Sequence, residues 1–194
     1  MVLSQKQIGN NVTINLLKTD KFKSNFISVN YIRPLSAEKA AMNALIPRVL
    51  KRGCEQYRDN AALAKRLEEL YASDIFCKTT KSGDYQILSF SADMLDNSYS
   101  IDGTDIASNV ASLLMQLITT PATENGIFSD KYVDDEKQML IHSIKAQINN
   151  KNRYARLLHL AYLPSSHYIT FSNLSAHALA IAISDASTGS SKSE

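Results

Sequence analysis

Two spacings of apolar residues organise this chain: every second position in its short segments, and every third or fourth in its long ones. Val12 to Leu17 reads as a short strand. Asn25 to Ile32 reads as a longer one, with Ile27, Val29 and Tyr31 alternating against Phe26, Ser28 and Asn30. Thr19-Asp20-Lys21 lies between them and predicts the turn of a hairpin. Pro34 ends the second strand, because it has no N–H for a ladder. Ser73 to Thr80 and Tyr85 to Asp93 form a second strand pair, joined by Lys81-Ser82-Gly83-Asp84.

The helical period is as plain. From Ala37, with Ser36 as N-cap, a segment apolar on most sides runs through Ala40, Ala44, Leu45 and Val49, the mark of a buried helix. Pro47 inside it removes one N–H, which predicts a kink near Asn43 or Ala44, or a later start. Gly53 is a natural stop. Asn60 caps the next helix, whose stripe is Leu63, Leu67, Leu70 and Tyr71. Thr104 or Asp105 caps a third, with Ile106, Val110, Leu113, Leu114, Leu117 and Ile118 on one face, and Pro121 ends it. Ser129 begins the longest, about Asp130 to Leu163, in which the weak helix formers Asn149, Asn150 and Asn152 predict a break. Strands, two helices, strands and two helices predict an α+β sandwich, with helices on one face of a mainly antiparallel sheet.

Composition changes this picture little. The chain has 194 residues, enough for one core, and a net charge of +2 on 21 basic and 19 acidic residues. That balance gives no electrostatic case for nucleic acid or a membrane surface. No apolar run reaches the ~18 residues a membrane helix needs, and no secretion signal opens the chain. Two cysteines, Cys54 and Cys77, make no disulfide framework, and the expectation is a cytoplasmic protein. From Ser165 the character shifts. Nine of the last thirty residues are Ser, so 165–194 reads as an atypical, partly disordered tail and 1–164 as the folded domain. Within that tail, Leu174 to Ile183 is apolar enough for a short helix or strand.

Candidate chemistry is sparse. His142 and His159 are seventeen residues apart on one predicted helix, too far along the axis to share a metal. Glu68 and Glu69 point about 100° apart and read as a solvated face. Cys54 has Lys51 and Arg52 near it but no His base. No phosphate-cradling glycine loop is present.

Residues 43–71, NALIPRVLKRGCEQYRDNAALAKRLEELY, carry a different kind of signal. Together with Lys18-Thr19-Asp20-Lys21-Phe22-Lys23, Leu67-Glu68-Glu69-Leu70-Tyr71-Ala72 and Gln86-Ile87-Leu88-Ser89-Phe90, they resemble the insulinase/pitrilysin/processing-peptidase family, the inverzincins. The resemblance covers roughly residues 10–163 and implies a LuxS/processing-peptidase-like sandwich. In that family an H-x-x-E-H helix runs into a Lys-Gly-Thr-like turn, where this chain has Arg52-Gly53-Cys54. Counting back from Gly53 places Ala44, Pro47 and Arg48 at the zinc-ligand and catalytic positions. The family's third ligand, a Glu on the long helix, corresponds to Ser143, with Glu136 one alternative seven residues earlier. Ala and Pro offer no lone pair, and Arg stays protonated. The resemblance therefore implies no metal, no cofactor and no catalytic residues here.

What it implies for function is a non-catalytic subunit that pairs with a zinc-bearing homologous subunit or second domain in processing a peptide substrate. Arg48 would hold a substrate carboxylate in such a pair. The alternatives are an active zinc metalloendopeptidase with displaced ligands, and a truncated nonfunctional remnant.

Overall fold

The computed structural model describes residues 2–149 and 151. The expected tail over 165–194, the domain limit at 164, the continuation of the longest helix to Leu163 and the apolar segment 174–183 lie outside the described residues.

The chain opens with a two-stranded antiparallel hairpin, β1 (Val2–Gln7) and β2 (Thr13–Lys18). It turns at Gly9, which takes φ +78°, a region that favours glycine. Next come β3 (Ser24–Pro34), α1 (Ala37–Leu50), α2 (Asn60–Glu69), β4 (Asp74–Ser82), β5 (Tyr85–Leu95), α3 (Ile106–Thr119) and α4 (Asp130–Lys145). Short 3₁₀ turns follow β5 and α4. The second sheet has the order β3-β5-β4 and is antiparallel throughout. This is the expected α+β sandwich.

Register explains which residues go inward. Opposite one another across the sheet stand Ile27, Ala92 and Ile75, then Val29, Phe90 and Cys77. Leu88, Phe90, Ala92 and Met94 of the central strand are all buried on this face, and the helices cover it. Val110, Leu113, Leu114 and Leu117 of α3 complete the same core with Leu63 and Leu67 of α2. Fully burying a Leu or Phe side chain contributes about 1.5–3 kcal/mol, so this one cluster dominates the stability. Tyr31 meets the Phe90 ring edge-on at 6.0 Å. The other face of the sheet carries the stacked pair Phe26 and Phe76, with ring centroids 6.4 Å apart.

Several expectations are corrected. β2 does not pair with β3: it pairs with β1, with Leu17 opposite Leu3, while β3 pairs with β5 along its full length. Thr19-Asp20-Lys21 is therefore a passage between two sheets. Adjacency in sequence favoured the hairpin, and the long non-local ladder to β5 won. The N-cap of α2 is Asp59, whose carboxylate accepts from the Ala62 N–H at 2.8 Å. Asn60 is already the first helical residue. Asp105 caps α3 in the same way, accepting from the Ser108 N–H. Ser36 stands at the N-cap of α1 but makes no side-chain cap bond. That helix starts at Ala37 and runs through Pro47 to Leu50 without a later start. The α-helical part of the longest helix ends at Lys145 and tightens into a 3₁₀ turn over Ala146–Asn149.

Candidate functional site

Two faces of α1 do different jobs. One face packs onto the β4–β5 hairpin and carries the buried Asn43 and Pro47. Asn43 Nδ2 donates to Gln86 Oε1 at 2.9 Å, and Gln86 Nε2 donates to the Ala40 carbonyl at 3.0 Å. These buried polar groups satisfy each other, as burial requires. Pro47 leaves the carbonyl four residues back, that of Asn43, without its helical donor. The Thr79 hydroxyl of β4 donates to that carbonyl at 3.4 Å. The strand thus repairs the gap the proline makes, and the helix continues.

The other face of α1 meets α4. Here Arg48 Nη1 lies 3.5 Å from Glu136 Oε2. Arg52, just past the helix, donates from Nε to Glu136 Oε1 at 2.7 Å. Glu136 is 8% exposed, so both of its oxygens face the two guanidinium groups rather than water. The Arg52 guanidinium also lies 5.7 Å from the centre of the Tyr132 ring, and its Nη2 is 3.8 Å from Met139 Sδ. Ser143 is exposed on α4, and its hydroxyl donates to the Leu140 carbonyl at 2.7 Å. Of the two positions weighed on the long helix, Glu136 is the one brought against Arg48.

The turn after α1 is held by its backbone. Cys54 N–H donates to the Tyr57 carbonyl at 2.9 Å, Glu55 N–H to the Thr120 carbonyl at 2.9 Å, and Ala122 N–H to the Gly53 carbonyl at 3.1 Å. Gly53 is not in the left-handed region, so its role is not the helix stop expected of it. A Cβ there would lie 2.9 Å from the Arg58 carbonyl carbon and closer still to the Tyr57 carbonyl oxygen. The glycine exists to let the 57–58 backbone pass, and that contact fixes where Arg52 begins.

The remaining candidates stay apart. Cys54 is fully buried, its sulfur 3.8 Å from Gln116 Oε1. Burial pushes the Cys77 thiol up to about 11, only partly offset by the nearby Lys51 charge. Glu69 pairs with Arg66 at 3.3 Å on an exposed face. Among the described residues no three His, Cys, Asp or Glu side chains are grouped to hold a metal ion. The donor set among the described residues does not fit zinc: beside α1 it supplies one carboxylate, and both of that carboxylate's oxygens face guanidinium groups. Sequence reasoning missed the link between Arg52 and Glu136, which are 84 residues apart and share no local pattern. It also missed the Asn43–Gln86 pair, although Gln86 sits at the inward parity of Leu88 and Phe90.

Comparison with known proteins decides the lineage. No family model matches the chain. It is 32% identical over 146 residues to the "Probable inactive metalloprotease YmfF" of Bacillus subtilis (strain 168), a match over 75% of this chain. The chain belongs to the insulinase/pitrilysin-like M16 metalloprotease family. It spans 34% of the length of the Bacillus protein. Two solved structures share the M16-like fold. A conserved protein from Enterococcus faecalis V583 superposes with a TM-score of 0.77 at 20% identity, over 96% of this chain and 45% of that one. A peptidase M16 inactive domain from Pseudomonas fluorescens gives 0.58 at 15% identity, over 89% of this chain and 39% of that one. Among the described residues no helix of this M16-like chain is long and apolar enough to cross a membrane.

Proposed function

We propose that this M16-like chain is a non-catalytic, peptidase-like subunit or domain that pairs with a zinc-bearing homologue in peptide processing. The observation that carries the reading is the Arg48–Glu136–Arg52 cluster. Where a peptidase of this family keeps a cation between α1 and α4, this chain has Ala44, Pro47 and two guanidinium groups around one carboxylate. Positive charge built into the protein takes the place of positive charge supplied by a metal, and repels one. In this reading the degenerate positions on α1 are Ala44, Pro47 and Arg48, and Ser143 is the one that the family resemblance assigns on α4.

The role left to such a chain is to hold peptide. Among the described residues β4 pairs only with β5, so its outer edge offers unpaired backbone groups to an extended peptide. The pairing would be heterodimeric. A reducing, cytoplasmic setting suits Cys54 and Cys77, both free thiols.

The test is reconstitution. The full chain is mixed with a zinc-bearing peptidase of the same family, one that keeps the H-x-x-E-H motif, and hydrolysis of a quenched fluorescent peptide is followed with zinc analysis of each purified subunit. The expected result is turnover by the mixture well above that of either component, with zinc in the homologue alone. Stoichiometric zinc in this chain, or turnover by this chain alone, favours a peptidase with displaced ligands and overturns the proposal. No gain on mixing and no cooperative unfolding of this chain would favour a remnant.

A further inference from the structure

We infer that the Arg48–Glu136–Arg52 cluster is a recognition site for a carboxylate of the bound peptide, in which Arg52 ties up Glu136 and Arg48 faces the ligand. This rests on the peptide-holding role proposed above and names the chemistry it would select. The two arginines are not equivalent. Arg52 makes a hydrogen bond to Glu136 at 2.7 Å, whereas Arg48 stands off at 3.5 Å. The Arg48 side chain is 34% exposed, that of Arg52 24% and that of Glu136 10%. Among the described residues Arg48 makes no side-chain hydrogen bond, although a guanidinium carries five N–H donors in a planar fork.

The charge count points the same way. Two guanidiniums share one carboxylate, so one positive charge is left over, and it resides on the looser, more exposed partner. A planar fork with unspent donors and surplus charge matches a carboxylate, which accepts two parallel N–H bonds. Arg52 has fewer donors to give, because its Nε is committed to Glu136, its Nη2 faces Met139 Sδ and its guanidinium lies near the Tyr132 ring. Glu136 is then a positioning residue with a second effect. It orders the two arginines and competes with the incoming carboxylate for Arg48. Arg48 also lies on the helix that packs over β4, the strand with the open edge.

The experiment titrates the ¹⁵N-labelled full chain with acetyl-tetraalanine bearing a free C-terminal carboxylate, and with the same peptide amidated, following the arginine Nε–Hε resonances. The acid is expected to move the Arg48 resonance and the amide to leave it in place. Arg48→Ala should abolish the effect of the acid, and Arg48→Lys should weaken it by losing the fork. Glu136→Gln removes the competing charge, keeps the side-chain shape, and should tighten acid binding roughly fivefold, the size of a partly exposed charge pair. Equal response to acid and amide, or no tightening in Glu136→Gln, overturns the assignment and leaves the cluster as a tie between two helices. Pairing is read separately by reconstitution. Acid binding without pairing keeps this site and sinks the subunit reading, and pairing without acid binding does the reverse.

Discussion

Gly53→Ala is the sharpest probe of how the site is held. The added methyl would lie 2.9 Å from the Arg58 carbonyl carbon, and nearer to the Tyr57 carbonyl oxygen. Ordinary contact begins near 3.4 Å, and both obstacles are backbone, so the 57–58 segment must move. That movement strains or breaks the Cys54 N–H to Tyr57 carbonyl bond, now 2.9 Å. Overpacking of this kind costs about 1–3 kcal/mol. Loss of the hydrogen bond adds about 1 kcal/mol. Gly53 is outside the left-handed region, so alanine also restricts the unfolded chain and returns about 0.4–1 kcal/mol. The net is a destabilisation of about 1–3 kcal/mol. With a urea m-value of about 2 kcal/mol/M, the midpoint should fall by roughly 0.5–1.5 M. Equilibrium urea unfolding followed by circular dichroism measures it. A midpoint that stays put or rises would mean that the 53–58 turn is free to adjust, and that Gly53 does not set the position of Arg52.

Three further outcomes follow from contacts already described. Arg52→Ala, Glu136→Ala and the double variant should show a coupling of about 1–2 kcal/mol in denaturation, reduced from the buried limit by the partial exposure of Arg52; a coupling under about 0.3 kcal/mol would show that the 2.7 Å bond is energetically idle. Thr79→Val keeps the side-chain shape but removes the donor to the Asn43 carbonyl, and should cost about 1 kcal/mol, the low end for a long bond; an unchanged midpoint would mean that the proline gap needs no repair. Cys77 has a thiol raised from 9.0 to about 11, so the folded state disfavours the thiolate. Its contribution is intact below pH 9 and is lost as pH rises towards 11, so wild type should lose stability over that window faster than Cys77→Ser; parallel pH curves would contradict the burial argument.

The elements with strong local periodicity were readable from the sequence. α3 is the plainest case, because Ile106, Val110, Leu113, Leu114 and Leu117 repeat at helical spacing between a capping Asp and a proline. β5 was readable as well, since Leu88 and Phe90 alternate with serines. What the sequence concealed is non-local. β2 and β3 lie a few residues apart, and nothing in either says that one pairs backward to β1 and the other forward to β5. The site was legible in part. The chemical poverty of Ala44, Pro47 and Arg48 is visible in three letters. The partner that Arg48 and Arg52 share is not, because Glu136 and Ser143 both sit on the long helix and only packing chooses between them. Gly53 shows the same limit from another side. A glycine just beyond a helix suggests a left-handed stop, and here it serves to let a neighbouring backbone past.

The hydroxyl that Thr79 offers to Asn43 ties together two elements that are usually thought of as separable. A helix with a proline near its end is normally weakest at that turn, and would fray there in isolation. In this chain the missing donor arrives from a strand 36 residues away, so the turn bearing Arg48 is completed only once the β4–β5 hairpin is in place. Helix and hairpin should therefore open together in native-state hydrogen exchange, with matching protection in the last turns of α1 and in β4, so that the charged cluster is assembled or lost as one unit.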